Sequence, residues 1–189
     1  NFCLNVRLNI SNQTVSFNSE ILSNGASLHQ SIVSLFEGTP PSKVTVALPN
    51  AGHWRSLQTV FPHIREVDLL EKPVVHPYLH YRGVVDCVAK YRNQLVVIDW
   101  KTSKKLKPTL AKTFDSPLQA AAYVGALNFD TNYRLQVDSA VVVIAYESGE
   151  PCHIHHITPD KCLRYWKDWL HRLKQFWEIV NEEKGLIKR

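Results

Sequence analysis

Two carboxylates and a lysine lie close together in a short stretch of apolar sequence. Residues 83–103 read G-V-V-D-C-V-A-K-Y-R-N-Q-L-V-V-I-D-W-K-T-S. Residues typical of β-strands fill both halves and a polar segment separates them, which predicts a β-hairpin with a loop of about four or five residues. Because side chains alternate along a strand, Asp99 and Lys101 should share one face, and Asp86 on the partner strand could approach the same point.

This combination of charges predicts a metal centre. Two carboxylates at the end of an apolar hairpin repel each other and lose hydration, which is costly without a compensating partner. Asp86, Asp99 and the backbone carbonyl of Trp100 would offer oxygen ligands, which favour Mg²⁺ or Mn²⁺ over Zn²⁺. Such an ion activates a bound water molecule, and Lys101 would orient that water or help to deprotonate it. The alternative is a structural ion-pair cluster that binds no metal.

Composition limits the size, the domain number and the partners of the protein but does not identify a function. The chain has 189 residues, of which 44% are hydrophobic, a net charge of +5 and no Met, with a mean hydropathy of −0.20 and a pI near 9.0. These values predict a single domain over residues 24–189, preceded by an arm or extra strand at residues 1–23. The positive charge favours anionic partners. We expect a monomer with no membrane partner.

The apolar pattern predicts the elements that would position these residues, in an α/β arrangement. The continuous run A-V-V-V-I-A at residues 140–145 predicts a strand that is covered on both faces of the sheet. The expected helices cover residues 26–36, 53–61, 118–128 and 159–183. The expected strands, besides the hairpin, cover residues 43–48, 67–81 with a break near Pro73 or Pro77, 133–146 and 152–157.

Two features follow the hairpin along the chain. Gln119 and Tyr123 are four residues apart in a predicted helix and therefore lie on one face of it. A polar, lysine-rich segment between the hairpin and this helix could contact a nucleic-acid backbone, although such a run is often only a solvated loop. The candidate residues of this segment are Ser103, Lys104, Lys105, Lys107 and Lys112.

The ordered set D-x12-D-x-K followed by Q-A-A-A-Y resembles the RecB-type branch of the PD-(D/E)xK nucleases. The resemblance implies a central mixed sheet flanked by helices and a metal-dependent exonuclease acting on single-stranded DNA or flaps. It implies a metal-contacting histidine on the first helix, at His29, although the residue could instead be a helix-surface or core-edge histidine. It also implies an acidic residue on the first sheet strand, Glu71, which would either reach the metal through water or only pair with a lysine. The implied catalytic residues are Asp86, Asp99, Lys101, Gln119 and Tyr123.

The resemblance is strongest to mitochondrial members of this branch, which implies the mitochondrial matrix and a role in DNA maintenance. No targeting peptide can be read in the sequence itself. Some members of the branch carry an iron–sulfur cluster held by a tight downstream trio of cysteines. That trio is missing here, so no such cluster is expected.

Other functions remain open at this stage. A structure-specific endonuclease of the same fold and a catalytically silent nucleic-acid-binding module both fit the motifs. The segment C-H-I-H-H at residues 152–156, with Cys162, could instead bind zinc in an interaction domain. For base stacking, the sequence offers several aromatic residues without ranking them: Trp54, Tyr81, Tyr91 and Trp100.

Overall fold

The computed structural model describes the backbone of residues 4–5 and 15–183 and the side chains of residues 23–182. Residues 1–3 and 6–14 of the predicted N-terminal arm lie outside the described residues. Helix α1 spans Val15–Phe36, so the predicted boundary at residue 23 falls within a helix. In the described part of the chain, none of the helices is both long and apolar enough to cross a membrane.

The elements alternate between helices and strands. The strands are β1 Leu4–Asn5, β2 Ile64–His76, β3 Tyr81–Tyr91, β4 Gln94–Ser103, β5 Ala140–Tyr146 and β6 His153–Ile157. The helices after α1 are α2 Ala51–Leu57, α3 Ser116–Phe129 and α4 Pro159–Glu183. Short 3-10 turns occupy Pro41–Lys43, Leu48–Asn50, Phe61–His63 and Leu110–Thr113.

The strands form one mixed sheet. Strand β3 pairs antiparallel with β2 and β4, β4 pairs parallel with β5, and β5 pairs antiparallel with β6. Strand β1 pairs parallel with the start of β3. Tyr81 pairs with both β1 and β2, and Cys87 pairs with both β2 and β4. Strands β1 and β4 therefore occupy successive parts of the same edge of β3.

Helices cover both faces of this sheet, which confirms the predicted α/β architecture. One core layer packs α1 and α2 against the sheet and contains Leu28, Leu57 and Ile98. The other packs α3 and α4 against the opposite face and contains Val97, Leu127 and Trp169. Every residue of β5 is buried, as the apolar run at residues 140–145 predicts.

The hairpin loop differs from the prediction. Tyr91 pairs directly with Gln94, so the loop consists of Arg92 and Asn93 alone. Both residues have positive φ, 49° and 68°, which is the conformation of a type I′ turn. The twist of that turn matches the twist of the two strands it joins, so no longer loop is required.

Several other predicted boundaries also shift. Residues 44–47 form no strand ladder within the described chain, because 3-10 turns that contain Pro41 and Pro49 flank them. The predicted helix over 53–61 is replaced by α2 and a separate 3-10 turn. The predicted break comes at Pro77, in the turn between β2 and β3, whereas Pro73 pairs with Val84 inside β2. Proline is tolerated there because β2 lies at an edge of the described sheet.

The packing of α3 against α4 depends on Gly125. A Cβ atom at this position would lie 2.1 Å from Cζ3 of Trp166, which is a clash with a large ring.

We expect Gly125→Ala to lower the free energy of unfolding by about 1–3 kcal/mol through overpacking, measured by urea denaturation. The matched control is Gly25→Ala in α1, where no atom lies within 4 Å of the added Cβ. That substitution should stabilise by about 0.5–1 kcal/mol through helix propensity. Equal stability of the two variants would contradict this account of the helix contact.

Candidate active site

The predicted metal-binding carboxylates lie where strands β3 and β4 separate. Their antiparallel pairing ends at Cys87 and Ile98, while β4 continues beside β5 as far as Ser103. Asp86 and Asp99 are the first residues beyond the last pair. The backbone N–H of Trp100 donates to Asp86 Oδ2 at 2.8 Å. The Asp86 carboxylate therefore satisfies a backbone donor of β4 that has lost its strand partner.

Strand β3 does not alternate regularly at this point. Val85 and Val88 belong to the core layer that faces α3 and α4, whereas Cys87 belongs to the layer that faces α1 and α2. Strict alternation would place Val85 and Cys87 on the same side. The alternation is thus interrupted at Asp86, whose carboxylate lies within 3.8 Å of His29 on α1.

The neighbouring strand β2 is irregular at the same level. Its Leu70 pairs with Cys87 and its Lys72 pairs with Val85, so Glu71 stands opposite Asp86. Glu71 has a φ of 47°, a conformation that costs a non-glycine residue on the order of 1–3 kcal/mol. Its carboxylate is held by His29, whose Nδ1 lies 2.8 Å from Oε1.

His29, Glu71 and Asp86 therefore form a compact cluster. One ligand atom from each lies within 4.8 Å of the others, and all three side chains are partly buried. Helix α1 positions His29 by burying the adjacent Leu28, together with Ile32, in the core. The sequence placed these residues on three separate elements, and the fold brings them together.

Asp99 and Lys101 lie side by side on β4. Lys101 Nζ is 2.7 Å from Asp99 Oδ1, with Asp99 only 1% exposed and the lysine side chain 32% exposed. The other carboxylate oxygen, Asp99 Oδ2, is buried and has no hydrogen-bond partner within the described part of the chain. An unsatisfied buried carboxylate oxygen is costly, and such atoms call for an explanation.

The charges of the cluster shift the pKa of two of its members. Burial, followed by the negative charge of Asp99, raises the pKa of Asp86 to about 7, although His29, Lys101 and the Trp100 N–H oppose the shift. Burial lowers the pKa of His29, but the hydrogen bond to Glu71 and the charge of Asp86 outweigh it, so the net shift is upward. Both shifts favour the protonated form, so Asp86 and His29 hold protons more tightly than isolated side chains do.

These residues fit a divalent cation. They offer carboxylate oxygens and one imidazole nitrogen, a donor set suited to Mg²⁺ and particularly to Mn²⁺. The predicted ligand Asp99 lies outside this group of three, although its charge raises the pKa of Asp86. The predicted contribution of the Trp100 carbonyl stays a prediction.

Gln119 and Tyr123 meet on α3, as their spacing predicts. Gln119 Nε2 donates to the Tyr123 hydroxyl at 2.9 Å. Gln119 and Lys101 line the same cavity of about 220 Å³ between the sheet and the start of α3. The Tyr123 ring packs on β3, and a Cβ at Gly83 would lie 2.4 Å from its Cε1 atom. The glycine that opens the hairpin motif therefore makes room for Tyr123.

The lysine-rich segment borders this cavity. Lys107 lines both the cavity and a second cleft of about 500 Å³ that also contains Ser103 and Lys104. The Ser103 hydroxyl bonds with the backbone of Lys105 on both its donor and its acceptor side, so it shapes the turn. Lys105 and Lys112 are exposed, and Lys104 contacts Glu147 at 3.4 Å.

The structure excludes most of the proposed stacking residues. Tyr81, Tyr91 and Trp100 are at most 5% exposed and belong to the two core layers, so they present no face to a ligand. Trp54 is partly buried against Phe61. The sequence analysis missed an exposed aromatic residue, Phe114, beside the cavity. The sequence feature that could have indicated Phe114 is its position directly before the helix-start motif D-S-P.

At residues 152–156, where the sequence predicts a possible zinc site, two of the histidines make hydrogen bonds. His153 Nδ1 lies 2.8 Å from the Tyr146 hydroxyl, and His155 Nε2 lies 2.9 Å from the Lys107 carbonyl oxygen. Cys162 is buried in the layer between the sheet and α4. Among the described residues, only His29, Glu71 and Asp86 form a group that could hold a metal. The zinc alternative is therefore not supported.

The chain is similar in sequence to known proteins. Mitochondrial genome maintenance exonuclease 1 from Xenopus tropicalis is 42% identical to the chain over 160 residues, covering 85% of the chain and 46% of that protein. The proteins of the same name from Mus musculus and Homo sapiens are each 40% identical, covering 86% of the chain and 48% and 47% of their own lengths. The chain thus spans about half the length of these relatives.

The family itself follows from a second comparison, with a family profile. The sequence profile of the PD-(D/E)XK nuclease superfamily matches residues 42–185, which include β2 to β6, α3 and α4. The mixed sheet flanked by helices is consistent with the fold of this family. The chain belongs to the PD-(D/E)XK nuclease superfamily.

Proposed function

We propose that the protein is a metal-dependent exonuclease that hydrolyses single-stranded DNA or DNA flaps. The observation that carries the proposal is the buried Asp99 beside Lys101, within the electrostatic reach of the His29–Glu71–Asp86 cluster. A structural ion pair alone would not leave a buried carboxylate oxygen unsatisfied or require strain at Glu71. The names of the relatives support an exonuclease of mitochondrial genome maintenance, and we extend that role and the mitochondrial matrix to this protein.

We assign metal binding to some of these residues and proton transfer to others. His29, Asp86 and Asp99 would hold Mg²⁺ or Mn²⁺, with Glu71 contributing through its contact with His29. When bound, the ion would neutralise the phosphate charge and lower the pKa of a water molecule. The Lys101 ammonium, fixed by Asp99, would orient the attacking water and stabilise the negative charge that develops on the phosphate. Gln119 and Tyr123 would position the phosphodiester from the opposite wall of the cavity.

The lysine segment would guide the DNA backbone toward this centre. Ser103, Lys104 and Lys107 line a cleft that adjoins the catalytic cavity, and Lys105 and Lys112 add exposed positive charge. Phosphate contacts of this kind position a strand without reading its sequence. Single-strand preference is supported by the size of the cavity beside Lys101 and Gln119, about 220 Å³, which is small for a duplex.

Substrate topology tests the exonuclease against its two rivals. With Mn²⁺ present, the wild type should degrade linear single-stranded DNA and leave circular single-stranded DNA intact. Cleavage of the circle would make the protein an endonuclease. Binding of DNA with no cleavage under either metal would support a silent binding module instead.

Lys101 is the most direct test of the chemistry. We expect Lys101→Ala to lower the cleavage rate by about 10²–10⁴-fold, the usual contribution of a general acid–base group. Lys101→Arg should not restore the rate, because a guanidinium has a fixed charge and a different geometry. The control is Lys174→Ala on the exposed surface of α4. Melting temperatures should be recorded for each variant. A folded Lys101→Ala protein with full activity would refute the proposed role.

Metal binding should depend on pH through Asp86. The folded-state pKa of Asp86, about 7, lies above the ordinary pKa of an aspartate, 3.8, so the metal-free folded state holds this proton more tightly than the unfolded state. The free energy of unfolding should therefore fall as pH rises from 4 to 7. Mn²⁺ needs the ionised carboxylate, so its stabilising effect should be larger at pH 8 than at pH 6. Thermal denaturation at each pH, with and without Mn²⁺, measures the stability of the metal-free protein and the stabilisation by Mn²⁺.

Asp86→Asn should weaken the Mn²⁺ effect at every pH and flatten the pH dependence of the metal-free protein. The control is Asp168→Asn, which removes an exposed carboxylate of α4. An equal loss in both variants would mean that Mn²⁺ acts through surface charge and not at the cluster.

The lysine segment should determine the salt dependence of DNA binding. In the presence of EDTA, the combined variant Lys104→Gln, Lys105→Gln and Lys112→Gln should bind single-stranded DNA more weakly. The slope of log affinity against log salt should fall by about 2, since each phosphate contact to a single strand contributes about 0.7. The control replaces Lys161, Lys167 and Lys174 of α4 by Gln, which changes the net charge equally. Identical slopes for the two variants would assign the effect to net charge alone.

A further inference from the structure

Phe114 is an exposed aromatic residue at the edge of the catalytic cavity. It lies between the 3-10 turn Leu110–Thr113 and α3, and it lines the cavity together with Lys101 and Gln119. Its exposed fraction is 76%, although burying a phenylalanine is normally favourable. Packing of the protein core therefore does not explain why a phenylalanine occupies this position.

The backbone of Phe114 is strained. Its φ of 54° and ψ of −122° lie in a region that glycine adopts readily and other residues avoid. Strained residues of this kind persist when their neighbours fix them, and they concentrate at functional sites. The exposed ring is thus held at a specific place in spite of a backbone cost.

The neighbouring residues provide that restraint. Thr113 is buried, and its hydroxyl donates to the Leu110 carbonyl at 2.6 Å. On the other side, Asp115 accepts two hydrogen bonds from Arg172 of α4, at 3.0 and 3.2 Å. Phe114 is therefore a rigid projection between two anchored residues, unlike an exposed side chain on a mobile loop.

A cation lies over the ring. Lys107 Nζ is 4.3 Å from the ring centroid and donates to the Lys112 carbonyl at 3.1 Å. The lysine is one of the proposed phosphate contacts, so a positive charge and an aromatic surface occur together next to the proposed cleavage site. Binding sites for single-stranded nucleic acid combine these two features, with bases on aromatic rings and phosphates on cations.

We propose that Phe114 stacks against a base of the single-stranded substrate, one or two nucleotides from the cleaved phosphodiester, while Lys107 contacts the adjacent phosphate. The proposal rests on the proposed nuclease function and adds a positioning residue to it. The stacked base fixes the register of the strand, so that a phosphodiester lies at the metal cluster. Every base has a flat face, so this contact tolerates any sequence.

The test uses 5′- or 3′-labelled oligo(dT) of about 20 nucleotides, intact or with one abasic nucleotide at successive positions from the cleaved end. Cleavage with Mn²⁺ is measured for the wild type, Phe114→Gly and Phe114→Trp. We expect the wild type to lose about tenfold or more in kcat/KM when the abasic nucleotide occupies one particular position. Phe114→Gly should show a similar loss on intact DNA and no further loss at that position. Phe114→Trp should resemble the wild type.

Stability measurements separate this role from a structural one. Glycine accepts the φ of Phe114 without strain, so Phe114→Gly should be at least as stable as the wild type while it cleaves more slowly. Tyr78→Ala is the matched control, because Tyr78 is 75% exposed and contacts Phe129, at the opposite end of α3 from Gln119. That variant should cleave like the wild type.

Two results would overturn the inference alone. In one, Phe114→Gly cleaves intact DNA with wild-type kcat/KM. In the other, it keeps the wild-type sensitivity to the abasic nucleotide. A wild type that cleaves no DNA, or a Lys101→Ala variant with full activity, would instead overturn the proposed function and this inference with it.

Discussion

The burial of two carboxylates where β3 and β4 separate is the constraint on which the rest of the site depends. Asp86 and Asp99 repel each other in surroundings that solvate them poorly, as the raised pKa of Asp86 indicates. The fold compensates part of this cost through the Trp100 N–H, the Lys101 ammonium and His29. The remaining negative potential is what a divalent cation would satisfy.

The strands can separate because the sheet changes its pairing at this point. Strand β4 continues beside β5, which is buried along its whole length, while the start of β3 lies between β2 and β1. The gap leaves backbone donors without a ladder partner and gives the Asp86 side chain access to one of them. Strain at Glu71 occurs at the same level of the sheet, so irregular backbone and concentrated charge coincide.

The two faces of the sheet contribute different parts of the site. Helix α1 brings His29 to the carboxylates, and α3 brings Gln119, which donates to the Tyr123 hydroxyl, to the cavity beside Lys101. The approach of α3 to β3 needs Gly83, because any Cβ there would displace the Tyr123 ring. The segment that links β4 to α3 crosses the edge of the cavity and presents Lys107 and Phe114 together. The proposed metal binding and the proposed strand guidance thus depend on one arrangement of the chain.

The sequence by itself determined the local elements and the identity of the charged residues. Alternation placed Asp99 and Lys101 together, the apolar run predicted buried β5, and the spacing of Gln119 and Tyr123 predicted their contact. These features depend on neighbours a few residues apart, so periodicity is enough to find them. The spacing of the motifs by itself also indicates the family.

Only the tertiary structure decided which distant residues meet and which aromatic residues are accessible. The contact of His29 with Glu71 and Asp86 depends on irregular backbone at Glu71 and Asp86, which strict alternation does not predict. Burial removed Tyr81, Tyr91 and Trp100 as stacking residues and left Phe114 exposed. The exposure of a side chain and the strain of a backbone result from packing between elements far apart in the chain. The local sequence therefore predicts neither of them.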